Sequence, residues 1–94
     1  MRPISDLSWD DANEDHLWQA HRVTPDEVEE VVFGVPGEEP TYRILRDGDF
    51  HLVFGETGGG RLLIIVGEFL VDGRYRAFAA RDMDIAEKRR YRRG

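Results

Sequence analysis

Leu62-Leu63-Ile64-Ile65-Val66 is an unbroken apolar run, and it limits the fold more than any other stretch of the chain. A strand with one wet face alternates polar and apolar residues, so a run that is apolar throughout needs cover on both sides and reads as a central strand. Gly58 to Gly60 leads into it as a flexible turn. Upstream, Phe50, Leu52 and Phe54 alternate with His51 and Val53. Tyr42-Arg43-Ile44 alternates before them, and Arg46-Asp47-Gly48-Asp49 supplies an Asp-Gly hairpin signal between the two stretches. Downstream, Asp72-Gly73 makes a further turn into Arg74-Tyr75-Arg76-Ala77-Phe78-Ala79-Ala80. Strands joined by turns this short pair antiparallel, because a parallel crossover needs about a dozen residues or more. The expectation is a twisted four-stranded antiparallel meander.

Helical signals flank it. Ser8-Trp9-Asp10-Asp11 has the capping-box spacing, and no Gly or Pro interrupts the stretch to about His21. Trp9, Asn13, His16, Leu17 and Ala20 share one stripe of that helix, which puts two polar side chains on its packed face. Thr24-Pro25-Asp26-Glu27 starts a second helix, with Thr as N-cap, Pro at the first position and Glu at N3; Val28, Val31 and Val32 give it an apolar face, and Gly34 with Pro36 ends it. A basic third helix, about Ile85 to Arg92, follows Asp82 or Asp84 as N-cap. The predicted order is ααββββα, an α+β fold in one domain spanning residues 1–94. The first two helices should cover one face of the sheet and the last should lie near its edge.

Composition narrows the function. There is no cysteine among the 94 residues, which removes disulfides, thiolate nucleophiles and Cys-ligated metals. No run approaches the ~20 apolar residues of a membrane span, and Met1 to Ser8 lacks the apolar stretch of a secretory signal, so a cytoplasmic protein with no membrane partner is expected. The net charge of −6 is an average over two unlike regions. Met1 to Asp72 holds 16 acidic against 5 basic residues, a net −11, whereas Gly73 to Gly94 holds 8 basic against 3 acidic, a net +5. A basic back can meet phosphates, while an acidic front repels them and suits a protein partner.

P-loop, nucleophile-elbow and zincin motifs are absent. His16 and His21 lie five apart, about 140° around a helix, which is too far to share one ion, so no metal or other cofactor is expected. His16 beside Asn13 reads as a structural or a catalytic group, and His21 at the helix end as a dipole partner or an acid-base group. The C-terminal segment carries more. Arg81 follows the last strand, and Glu87, Arg90 and Tyr91 share a helical face by their i+3 and i+4 spacing. With Arg74 and Arg76 they bring guanidinium forks and one phenol to a common side, which suits bidentate phosphate binding and proton transfer. A solvated helix with internal Glu/Arg pairs is the plainer account of the same residues.

The stretch Trp9-Asp10-x-x-Asn13-x-x-His16-Leu17-x-x-x-His21-x-Val23-Thr24-Pro25-x-Glu27-Val28-Glu29-Glu30-Val31 resembles the N-terminal signature of BrnT-like proteins, toxins of bacterial type II toxin-antitoxin systems. Gly60-Arg61-Leu62-Leu63-Ile64 and Ala80-Arg81-x-x-x-x-x-Glu87-x-x-x-Tyr91 are similar to that family's central strand and closing segment. Where the family often has His-Gly-Val, this chain has His21-Arg22-Val23; where a Lys is common in the first helix, it has Asn13. The resemblance implies a RelE-like fold and a metal-independent endoribonuclease in which the RNA 2′-OH attacks its own phosphate. A small antitoxin, ribbon-helix-helix-like and able to bind operator DNA, would neutralise it in a hetero-oligomer. By position Arg81 and Arg90 would stabilise the phosphate, Glu87 would orient or act as base, and His21 or Tyr91 would donate a proton. Arg61, Arg74 and Arg76 would contact RNA. Two other classes stay open: a non-catalytic module that holds a basic partner on its acidic helices, and a metal enzyme built on His16, His21 and His51.

Overall fold

A computed structural model of the chain describes residues 4–8 and 22–93. The fold is α+β. In chain order the described elements are β1 (Leu7–Ser8), α1 (Pro25–Phe33), β2 (Arg43–Asp47), β3 (Phe50–Glu56), β4 (Leu62–Phe69), β5 (Tyr75–Asp82) and α2 (Ile85–Arg93). The sheet order is β1-β5-β4-β3-β2, so the apolar run does form the middle strand. β2 to β5 pair antiparallel in sequence. The sheet differs from a four-stranded meander by a fifth strand: β1 pairs parallel to β5, Leu7 opposite Tyr75 and Ser8 opposite Arg76, and the Tyr75 amide donates to the Asp6 carbonyl at 2.8 Å. Ser8, expected as a helix cap, therefore lies in a strand. The helix expected from Trp9 to His21 lies outside the described residues.

α1 begins as its sequence requires. The Thr24 hydroxyl accepts from the Glu27 amide at 3.2 Å, and the Glu27 carboxylate accepts from the Thr24 amide at 3.0 Å. Gly34, at φ +80°, closes the helix by donating to the Glu30 carbonyl. Val28, Val31 and Val32 face the sheet and join a core with Ile4, Val23, Val53, Leu63, Ile65, Tyr75, Ala77 and Ala80. The alternate residues of β4, Leu62 and Ile64, point to the opposite face and form a smaller cluster with Met83, against which Leu52, Phe54 and Tyr91 pack. The run is thus divided between two cores, as its lack of alternation requires.

One irregularity sets which residues share a face. Residues directly opposite in an antiparallel ladder point the same way. Ile64 stands opposite Arg81 and Val66 opposite Ala79, but Gly67 stands opposite Ala77 and Glu68 opposite Arg76, so Phe78 is an extra residue in β5. This bulge brings Arg76 and Arg81, an odd number of residues apart, to the α2 side, while Tyr75, Ala77 and Ala80 all face the α1 core. Tyr75 lies across Gly67, and its hydroxyl donates to the His51 carbonyl. Burial pushes the Tyr75 phenol up from its ordinary value.

Candidate functional site

The basic end of the chain assembles a site on the α2 side. β5 extends to Asp82, two residues past the expected end, because the Met83 amide still pairs with the Leu62 carbonyl. Arg81 therefore projects from a strand, where the ladder fixes its backbone. Its guanidinium meets Glu87 end-on, with Nη1 donating to Oε1 at 2.8 Å and Nη2 to Oε2 at 2.9 Å. Glu87 is itself held by the start of α2: its Oε1 accepts from the Asp84 amide at 2.9 Å, and its own amide donates to Asp84 Oδ1 at 2.8 Å. Asp84, not Asp82, is thus the cap.

The electrostatic consequence is sharp. The fork of Arg81, followed by the Asp84 amide, overcomes the opposing effect of desolvation and holds the Glu87 carboxyl down to about 2. A carboxylate so weakly basic is poorly suited to take a proton at neutral pH. The pair leaves Arg81 44% exposed at its side chain, and its Nη1 also donates to the Asp82 carbonyl at 3.1 Å.

Beside this pair lies a concavity of about 190 Å³ lined by Arg43, Leu45, Phe54, Glu87, Arg90 and Tyr91. Glu87, Arg90 and Tyr91 are the helical triple expected from spacing. Arg43 was missed: it comes from β2, and only the register, Arg43 opposite Phe54 and Phe54 opposite Ile64, carries it into line with Arg81. Its guanidinium lies over the Tyr91 ring, 5.6 Å from the centroid. Two arginines and one phenol therefore line a recess with an apolar floor, and Arg81 adjoins it through Glu87.

The other expected residues are placed elsewhere. Arg61 is on the α1 side of the sheet. Its Nε and Nη2 donate to Asp82 Oδ1 and Oδ2 at 2.7 and 3.1 Å, and its Nη1 donates to both Glu27 oxygens at 3.1 and 3.0 Å and to the Arg22 carbonyl at 3.0 Å. Hydrogen bonding to Asp82, then to Glu27, outweighs desolvation and raises its affinity for the proton further. A guanidinium with every nitrogen engaged ties α1 to β5. Arg74 donates to Asp72 at 2.8 Å across the turn before β5. Arg76 is on the α2 side but four β4 positions from Arg81, about 13 Å along the sheet. His21, His16 and Asn13 lie outside the described residues, as do two of the three histidines of the metal reading. Among the described residues no group of three or more His, Asp or Glu is placed to hold a metal ion, and no helix is long and apolar enough to cross a membrane.

A second recess, of about 140 Å³, lies between α1, the loop that follows it and the end of β3, and is lined in part by Glu30, Glu38, Glu39 and Glu56. No family model matches the chain, and no curated protein matches it as a relative.

Proposed function

We propose that this chain is a cytoplasmic endoribonuclease toxin of the BrnT-like, RelE-like type, cleaving RNA without a bound metal and silenced by a small ribbon-helix-helix-like antitoxin. The observation that carries the reading is the Arg81–Glu87 pair at the edge of a recess shared with Arg43, Arg90 and Tyr91. Arg22 adds support. It stands where the resembled family often has glycine, and its φ of +55° is the left-handed conformation that glycine favours.

The RNA 2′-oxygen attacks its own phosphorus and gives its proton to water, the bond from phosphorus to the 5′-oxygen breaks, and that oxygen takes up a proton. The products are a cyclic phosphate and a free 5′-hydroxyl. Charge builds on the non-bridging oxygens in the transition state, where Arg81, oriented by Glu87, and Arg90 stabilise it. Tyr91 or His21 protonates the leaving oxygen. The requirement for a 2′-OH restricts the substrate to RNA. The acidic recess offers the antitoxin a site that a polyanion would avoid.

Purified protein incubated with RNA in EDTA should cleave it, and Arg81→Ala should slow cleavage by about 100-fold or more, the usual cost of removing one transition-state donor. Induced expression should arrest growth, and the same substitution should relieve the arrest. No cleavage by the wild type, or cleavage unchanged by Arg81→Ala, refutes the proposal. The second reading, a non-catalytic module, draws on the acidic recess alone; a basic partner bound equally well by Arg81→Ala, with no cleavage, would select it.

A further inference from the structure

α2 covers only part of its side of the sheet. Beyond Tyr91, the same face carries Leu45, Leu52, Val66, Phe78, Ala79 and Phe50, all exposed or half-buried, with Phe50 at 44%. Two of these are aromatic and meet edge to face, with ring centroids 5.8 Å apart at 81°. The Arg76 guanidinium caps the Phe78 ring, 5.3 Å from its centroid. Phe78 belongs to this group because it is the bulged residue of β5. Phe54, at the floor of the Arg81 recess, lies on the same face of β3 as Phe50, four residues or about 13 Å away.

The face therefore runs from a phosphate-binding recess, over a floor of Phe54 and Leu52, to a ring pair topped by a cation. The rings and the guanidinium occur together, at the end of a line of cations. A single-stranded nucleic acid uses both, stacking bases on rings and setting its backbone among cations. Arg43, Arg76, Arg81 and Arg90 border the strip; Asp47 stands opposite Phe50 and Glu68 opposite Arg76, and Glu87 is paired with Arg81.

We propose that Phe50 and Phe78, with Arg76, form a base-stacking platform for the single-stranded RNA that enters the Arg81 recess. The identity of the strand rests on the ribonuclease reading. The platform itself rests on the rings, their cation and their alignment with the recess.

The test uses the full chain and a short fluorescein-labelled 2′-O-methyl RNA, which lacks the attacking hydroxyl and so reports binding alone. Phe50→Leu and Phe78→Leu keep apolar bulk and remove the ring; melting curves confirm that both fold. Each should weaken binding by about 5- to 100-fold, the cost of a lost stacking contact. The salt dependence should stay unchanged, because no phosphate contact is removed. Cleavage of a dinucleotide, too short to span from recess to platform, should match the wild type.

Leucine variants that bind as the wild type does, or a wild type that binds no single strand, overturn the platform; if RNA is still cleaved in an Arg81-dependent way, the ribonuclease reading survives that failure. Ring-dependent binding without cleavage upholds the platform and removes the ribonuclease. Equal weakening toward duplex RNA refutes stacking. So does a dimer that Phe50→Ser converts to monomer without loss of RNA affinity, which would assign the face to a second copy of the chain.

Discussion

Replacing Arg61 by methionine separates a structural tie from an RNA contact, because the two roles predict opposite readouts. The side chain is 28% exposed and its Glu27 partner 25%, so this arm is partly desolvated, whereas Asp82 is 58% exposed. A charge-assisted arm of the first kind contributes about 1.5 to 3 kcal/mol, and an exposed one about 0 to 1. Methionine retains the packing of the aliphatic stem. A net loss of ~2 kcal/mol is expected, which for a domain of this size lowers Tm by roughly 8 to 16 °C. The pH dependence follows from Glu27. Burial raises its carboxyl, but the Thr24 amide and then Arg61 outweigh burial and leave it lowered from 4.5. A folded-state value below the unfolded one contributes stability above the unfolded pKa and loses it as pH falls through the folded value. Arg61→Met should therefore approach the wild type in stability on acidification below about pH 4. Calorimetry across pH, with Glu27→Gln to complete a double-mutant cycle, measures the coupling. A variant that melts within a degree or so of the wild type yet binds RNA more weakly would show Arg61 to be a surface contact, and the reasoning would fail.

Glu87→Gln should lose stability at neutral pH and match the wild type near pH 2. The wild-type carboxyl sits at about 2 against 4.5, so its contribution is present above 4.5 and disappears as pH falls toward 2. Because Arg81 is 44% exposed, solvent screening reduces that contribution to about 1 kcal/mol, readable in melts at the two ends of the range. Gly67→Ala places a Cβ against the Arg76 carbonyl and the Tyr75 ring, and it should cost about 1 to 3 kcal/mol in urea unfolding. Thr24→Ala removes the acceptor for the Glu27 amide and should cost about 1 kcal/mol, with the loss localised to α1 by amide exchange.

The features legible in the sequence are those carried by local chemistry. Thr24-Pro25-Asp26-Glu27 states where α1 begins, Asp47-Gly48 where β2 turns into β3, and Leu62 to Val66 which strand lies in the middle. The helical triple Glu87, Arg90 and Tyr91 was legible for the same reason, since its spacing is a property of one helix. Residues brought in by another strand were not. Arg43 reaches the recess through a register that only the assembled sheet defines. Leu7 and Ser8 are too few to show a period, and their parallel pairing is fixed by β5. The ties of Arg61 were not legible either, because its partners lie 34 and 21 residues away. Spacing likewise did not carry the fork of Arg81 closing on the Glu87 carboxylate, which joins a strand to a helix.

The extra residue in β5 puts the two halves of that strand out of phase. Were the strand regular over the same sequence, with Arg81 held in place, Arg76 would be directed into the valine-lined core beneath α1 and Tyr75 would be turned out into water. Deleting Phe78 would have no such effect, because Arg76 and Arg81 would then lie four apart and share a face without a bulge. Matching by residue count alone therefore exchanges the two faces on one side of Phe78, so side-chain comparison between this chain and any other must settle that single residue first.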